Sequence, residues 1–447
     1  MTLWDHQRDA LATLIRQPAT YLHHDMGVGK SRTIVEYLKA ERPAHTLILC
    51  PKAVVAVWPL EIRKWGHETR CVPLTKGSVK QKAEELDATL HLLAPTVVIL
   101  NYESAWREPM ASLLLEWQWD FIVGDEFHRC KAAGRSAKLA NFMRRLMPSI
   151  PKRAALSGTM IPNGYVDVFA QYTALDPDTM PRTLTQFRAM YVERLNPHVP
   201  QMITGYRNVE DLRERIRRIE HRVKKDDVLD LPPALHVTRD IELPAHARRA
   251  YKEMKDEYIT ELAEGTVVAS NAMVKALRLR QIAGGHCTND EKERVHIHSA
   301  KSEWLHDFLL DLDPKEPVVV FCAFHASLDQ ALDAANKARR YQSELSGRIK
   351  DTTRFAKWDA IPGEVLCVQW QAGGVGIDLT ASATCIIFDP TFSGGDYAQA
   401  IARLDRHGQT RPVTYYHLEA EGTIDSLVAL ALENKDKAVQ YLLEGRI

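Results

Sequence analysis

Residues 21–33 read "YLHHDMGVGKSRT". The segment opens as a short β-like run and passes into "SRTIVEYLKAE", which has helical character. Between the two lie Gly27 and Gly29, followed by Lys30 and Ser31. A phosphate-binding loop usually reads Gly, four residues, then Gly-Lys-Ser/Thr. His24 stands at the first of those glycine positions. Taken alone, the tripeptide Gly29-Lys30-Ser31 has two readings: a nucleotide loop with an unusual first turn, or a chance helix entry capped by Ser31. The strand–turn–helix context is what a phosphate loop needs. Glycines let backbone N–H groups approach a phosphate, and the helix N-terminus adds positive dipole. On that reading Met26, Gly27, Val28 and Gly29 form the loop, Lys30 reaches the β- and γ-phosphates, and Ser31 holds Mg²⁺ through its hydroxyl.

A second stretch, "FIVGDEFH" (121–128), supplies matching chemistry. Two adjacent acids after a buried strand are costly unless something needs them there. Ligands bind at strand ends in parallel sheets. Asp125 suits a Mg²⁺ ion, and Glu126 suits a general base taking a proton from water, an effect worth about 10²–10⁴-fold. The competing reading is an Asp-Glu pair on an exposed turn.

The 447 residues carry no net formal charge, and 45% are hydrophobic. That balance suits a globular chain of about two to four domains. Any nucleic-acid surface must therefore be local. No apolar run reaches the roughly 18 residues of a membrane span. "MTLWDHQRDA" lacks the layout of a signal peptide. The seven cysteines form no Cys-x-x-Cys pair and read as reduced core thiols. "HIH" (296–298) is too short for a zinc site, and "DPK" (313–315) reads as a turn rather than a nuclease box.

Continuous apolar runs alternate with helical stretches in both halves: "TLILC", "TVVIL" and "FIVG" early, "PVVVFC", "EVLCVQW", "TCIIFD" and "VTYYHL" late. Such runs suit strands buried on both faces, hence parallel sheets covered by helices. The expected class is α/β. Residues 165–300 read as helical and charged. "LRERIRRIEHRVKKDDVLDLPP" (212–233) reads mostly as a solvated amphipathic helix.

"DMGVGKS", "DEFH" and "LSGTMIPN" resemble motifs I, II and III of superfamily-two helicases, and more closely those of the Snf-type, chromatin-remodeller-like ATPases. That family's loop reads roughly Asp-Glu-Met-Gly-Leu-Gly-Lys-Thr and also lacks the first glycine, so His24 is no objection. "LILCPKAVVAVWPLEIRKW" resembles motif Ia, with Trp58, Glu61, Lys64 and Trp65 in matching places. "LWDHQ" resembles the N-terminal motif, in which Gln7 would contact adenine, and "ALRLRQIAGGH" resembles the block entering the second lobe. Phe127, Met160 and Ser31 depart from the family's Ala, Pro and Thr. Ser31 keeps the hydroxyl, and the other two need only pack.

In "QAIARLDRHGQTRPV" (399–413), Gln399, Arg403 and Arg406 are spaced by four and three, which on a helix puts them on one face. Alone this is an exposed polar stripe. The spacing also resembles motif VI, which makes Arg406 the finger on the γ-phosphate with Arg403 beside it. "WQAGGVGIDLTASATCIIFDP" resembles motif V, in which Gln371, Ala372 and Gly373 would meet a nucleic-acid backbone.

The resemblance implies two RecA-like lobes in tandem, with helical insertions between motif III and the second lobe. The expected boundaries are 1–164 (lobe one), 165–243 (helical insertion), 244–300 (helical linker) and 301–447 (lobe two). It implies ATP and Mg²⁺ as cofactors and ATP-driven translocation on double-stranded DNA. Grip would come from phosphate contacts at Lys52, Asn101, Tyr102 and Thr159, and at Gln371 and Ala372. Such contacts carry no sequence information and weaken with salt. A strand-separating DNA or RNA helicase, the motor of a restriction or defence complex, and an inactive clamp remain as alternatives. The expected state is a monomer, with no membrane partner, in the cytoplasm of a bacterial or virus-infected cell.

Overall fold

The structure is a computed structural model and describes residues 2–90, 94–131, 136–158, 165–194, 203–263, 269–288, 293–349, 358–373 and 377–433. It divides into two compact units, Met1–Leu229 and Asp230–Ile447.

The first unit holds β1 (Ala19–His24), β2 (His45–Cys50), β3 (Arg70–Pro73), β4 (Thr96–Asn101), β5 (Phe121–Asp125) and β6 (Lys152–Ser157). β7 (Val192–Arg194) and β8 (Ile203–Tyr206) form a separate antiparallel pair, and β9 (Glu220–Val223) returns to the main sheet. That sheet has the order β3-β4-β2-β5-β6-β1-β9, and each of its pairings is parallel. The apolar runs divide between two faces because side chains alternate along a strand. Leu47 and Leu49 enter one core cluster, and Ile48 and Cys50 enter the other. Both faces are covered, as continuous apolar strands require.

The second unit contributes β10 (Leu235–Ile241), the antiparallel pair β11 (His286–Thr288) and β12 (Arg294–His296), β13 (Val318–Cys322), β14 (Gln342–Leu345), β15 (Val365–Gln369), β16 (Thr384–Ile387) and β17 (Thr414–Ala420). Its main sheet has the order β10-β17-β16-β13-β15-β14, again parallel. Val319 and Phe321 face one core, and Val318, Val320 and Cys322 face the other. Among the described residues, no helix is long and apolar enough to cross a membrane.

Two expectations need correcting. The segment 165–243 is not one insertion. Its β9 is an edge strand of the first sheet, its β10 belongs to the second, and the divide falls between them at Leu229. The charged stretch after Leu212 is not one helix either. The helix ends at Arg217, and Glu220–Val223 pairs with Tyr21–His24. The reason is polar pairing across strands: His23 Nδ1 lies 2.7 Å from Glu220 Oε1, and His24 Nε2 lies 2.9 Å from His221 Nδ1.

Residues 243–300 pack through Leu243, Tyr251, Leu279 and Ile282 against Ile424 and Val428 of the helix Ile424–Glu433. Beside this cluster Lys301 Nζ lies 2.7 Å from Asp425 Oδ2, with both side chains almost fully buried. Lys301 also donates to the Phe388 carbonyl, and Asp425 accepts from Ala420 N. Lys301→Met strands a buried carboxylate and should cost about 3–5 kcal/mol of stability in urea unfolding. A loss below about 1 kcal/mol would mean that the pair is not essential to the unit.

Candidate active site

In the first unit β1, β6 and β5 are neighbours, with Leu22 level with Leu156 and Leu156 level with Asp125. The segments leaving these three strands therefore emerge at one edge. They are the loop 25–29, Glu126 and Gly158.

The loop is shaped by two residues in the left-handed region, Gly27 (φ 84°) and Gly29 (φ 88°). Gly29 is also required by space, because a Cβ there would lie 2.2 Å from Gln7 Nε2. Gln7 is almost fully buried; its Nε2 donates to Val28 O (3.4 Å), and its Oε1 accepts from Trp4 N (3.1 Å). The amide expected to meet adenine thus braces the loop from behind. His6 Nε2 lies 2.9 Å from the same Val28 carbonyl. Met26 packs toward Gly158, where a Cβ would meet its Cγ at 2.9 Å. The helix Lys30–Glu41 starts directly after Gly29.

The fit to a phosphate group can be read from the backbone. Among the described residues, the N–H groups of Gly27 and Gly29 donate to no backbone carbonyl. They are donors placed just before the positive end of a 12-residue helix. Lys30 Nζ folds back onto the carbonyls of His24 (2.7 Å) and Asp25 (3.1 Å). His24 stands where the family pattern has Asp. Burial, and then the charge of Lys30, hold its imidazole well below the usual histidine value.

At the end of β5, Asp125 is 9% exposed. Its Oδ2 accepts from Trp58 Nε1 (3.0 Å), its Oδ1 from Glu126 N (3.0 Å), and its carbonyl from the Tyr102 hydroxyl (2.7 Å). Burial, and then the neighbouring Glu126, push its carboxyl up to about 6; Trp58 and Lys30 pull the other way. Glu126 adopts φ 49°, ψ 50°, uncommon for a residue with a Cβ and typical of functional turns. Glu126 Oε2 lies 3.2 Å from His128 Nδ1, which is 3.0 Å from Ser157 Oγ at the end of β6. Phe127 is fully buried, and it fits because residue 124 is glycine: a Cβ there would lie 2.4 Å from its ring. Ser31 and Asp125 supply oxygen ligands of the hard type that Mg²⁺ takes.

The residues expected on nucleic acid divide. Lys52 is exposed just beyond β2. Asn101 is buried, accepting from Lys82 Nζ (3.0 Å) and donating to Glu103 Oε2 (2.9 Å). Tyr102 is buried with its hydroxyl on the Asp125 carbonyl, so its side chain serves the acid box rather than an outer surface. Thr159 and Met160 lie outside the described residues.

In the second unit, Gln371, Ala372 and Gly373 form a short helical turn, Trp370–Gly373, at the end of β15. Trp370 anchors it, stacked on Phe321 and donating to the Asp389 carbonyl (2.8 Å). Asp378 accepts from Thr380 N and Oγ1 nearby.

Gln399 and Arg403 lie one turn apart on the helix Gly394–Leu404, but Arg406 does not share it. Asp405 leaves helical geometry at ψ 80°, and Gly408 turns the chain at φ 105°. The buried Gln409 fixes this turn. Its Nε2 donates to Ser382 O (2.9 Å) and Thr380 O (3.3 Å), and its Oε1 accepts from Thr410 N and Arg411 N. Arg406 Nε is buried and has no acceptor among the described residues.

Sequence reasoning gave no role to Trp58, Tyr102 or Gln409 as supports. Trp58 stood out as a motif match, but its bond to Asp125 spans 67 positions and has no local signal.

The SNF2-related domain profile matches residues 6–287, and the helicase conserved C-terminal domain profile matches residues 300–408. Putative protein p41 of Acyrthosiphon pisum secondary endosymbiont phage 1 is 26% identical over 446 residues, covering 94% of this chain and 92% of that protein. Chromodomain-helicase-DNA-binding protein 1-like of Danio rerio is 24% identical, with 96% of this chain and 42% of that protein covered. The CHD3-type chromatin-remodeling factor CHR7 of Arabidopsis thaliana is 23% identical, with 95% and 36% covered. The chain thus spans less than half the length of these two remodelling relatives. The Sulfolobus solfataricus SWI2/SNF2 ATPase core domain aligns with 98% of this chain and 90% of its own, at 19% identity and a TM-score of 0.42. With more than half of its length matched by one family profile, the chain belongs to the SNF2-related family of helicase-like ATPases.

Proposed function

We propose that the chain hydrolyses ATP and uses the energy to move along double-stranded DNA without separating its strands. The observation that carries this reading is the convergence, at one sheet edge, of the Gly27 and Gly29 backbone donors with Lys30, Asp125 and Glu126. The loop N–H groups and Lys30 bind the phosphates. Ser31 and Asp125 hold a magnesium ion, which when bound supplies neutralising charge to the β- and γ-phosphates. Glu126 takes the proton of the attacking water. By family resemblance, Arg406 is the finger for the γ-phosphate and Arg403 assists it. Both lie in the second unit. The names of the zebrafish and plant relatives favour DNA and chromatin-type motors over RNA helicases. The phage relative, matched over 92% of its length, favours a bacterial or phage-infected cell for this motor. Contacts through backbone phosphates make binding indifferent to sequence and sensitive to salt.

The test is ATP hydrolysis with no nucleic acid, single-stranded DNA, duplex DNA and RNA, alongside triplex-displacement and strand-separation assays. Duplex DNA should stimulate most, and the triplex strand should be displaced while duplexes stay paired. Stimulation by RNA alone contradicts the proposal. Arg406→Ala should lower turnover by about 10³-fold while largely sparing nucleotide affinity. Intact turnover in that variant excludes the arginine from the site. Gly29→Ala should abolish nucleotide binding, since neither φ 88° nor the contact with Gln7 tolerates a methyl group.

A further inference from the structure

Lys82 lies on the helix Val79–Leu90 and is 5% exposed. Its ammonium donates to Asn101 Oδ1 (3.0 Å) and Ser104 Oγ (3.4 Å), two neutral oxygens. An ammonium carries three N–H donors, and among the described residues no carboxylate lies within ion-pair distance of this one. The nearby Glu103 is already engaged: its Oε2 accepts from Asn101 Nδ2 (2.9 Å), and its Oε1 lies 3.3 Å from Arg129 Nη1. Burial, and then the charge of Lys52, lower the Lys82 ammonium from its usual value, against weaker support from Glu103 and Glu85. Cys50 is level with Asn101 on the adjacent strand, so Lys52, two residues further on, leaves the sheet at the edge where Asn101 holds Lys82, and its charge acts on Lys82. Both lysines thus belong to the C-terminal edge of β2 and β4, where parallel sheets bind ligands. A buried cation without a counter-ion is costly, and an anion from outside would remove that cost.

We propose that Lys82 and Lys52 form a seat for one phosphodiester group of the bound DNA strand, with Asn101 and Ser104 holding the buried ammonium in place. The proposal deepens the DNA-motor reading above and rests on it. It moves the nucleic-acid contact from Asn101 and Tyr102, whose side chains are committed internally, to a lysine that motif reasoning did not single out. Asn101 and Ser104 are positioning residues, and the two lysines touch the phosphate.

The experiment is fluorescence-anisotropy binding of duplex DNA to the full chain across about 50 to 200 mM salt. Lys82→Gln keeps a donor for Asn101 and Ser104 but removes the charge. It should weaken binding about tenfold and reduce the log–log salt slope by about one, while Lys82→Arg keeps the slope. Lys52→Gln, at an exposed position that leaves folding intact, should lower the slope to the same extent. Because one phosphate is shared, the double variant should lose no more slope than either single one. An unchanged slope in Lys82→Gln overturns the seat, as does an additive loss of about two in the double variant. Inorganic phosphate at matched ionic strength should leave wild-type DNA affinity unchanged. Specific competition by it would make the site one for free phosphate and overturn the assignment to DNA. No binding of any nucleic acid by the wild type defeats the motor reading itself, whereas DNA binding with no Lys82 effect defeats this seat alone.

Discussion

Placing two carboxylates at the end of a buried strand is unfavourable in an isolated sheet, and the first unit is organised around making it tolerable. Asp125 is held by an indole N–H, its neighbour's backbone N–H and, through its carbonyl, a tyrosine hydroxyl. These donors come from three separate parts of the chain, the helix Trp58–Lys64, the turn at Glu126 and the start of the helix Tyr102–Ala105. The indole and the backbone N–H partly offset the burial that pushes the carboxyl upward. The unusual backbone at Glu126 and the missing side chain at Gly124 follow from the same constraint. The chain must turn sharply after Asp125 while Phe127 tucks beneath it. The charge of Lys30 also pulls the carboxyl down.

The same economy of support recurs in the second unit. The segment Phe388–Pro390 receives bonds from Lys301, Trp370, Ala323 and Arg280, which lie on three helices and the bend after β13. The Gln409 side chain fixes the turn that carries Arg406. Glu126 and Arg406 both sit on short turns, and packing behind those turns sets their geometry. Each main sheet is parallel and covered on both faces, which leaves the strand ends as the natural place for ligands.

Much of this was legible in the sequence, for definite reasons. Strands such as "TLILC" and "PVVVFC" are apolar throughout because both faces are buried, and that signal is local. The glycine turn before Lys30 and the acid pair stood out as candidates because the chemistry they suit needs fixed residue types at fixed spacing. Edge strands were not. β9 is a polar "EHRV" held by histidine and glutamate partners almost 200 positions away, and β10 is largely exposed. Neither shows the apolar pattern that betrays a central strand. The end of the helix before Arg406 was also missed, since residue spacing alone cannot show where a backbone leaves helical geometry. Lys82 was hidden for a related reason: a lysine in "VKQKAEEL" looks solvated, and only the fold buries it.

The central claim is that Asp125 and Glu126 are a hydrolytic pair rather than a structural one. Glu126→Gln tests it most directly, with Mg·ATP affinity measured by calorimetry and turnover by phosphate release on the same preparation. The account predicts affinity close to wild type and turnover reduced by at least about 10²-fold. Unchanged turnover would remove Glu126 from its role as base and contradict the account.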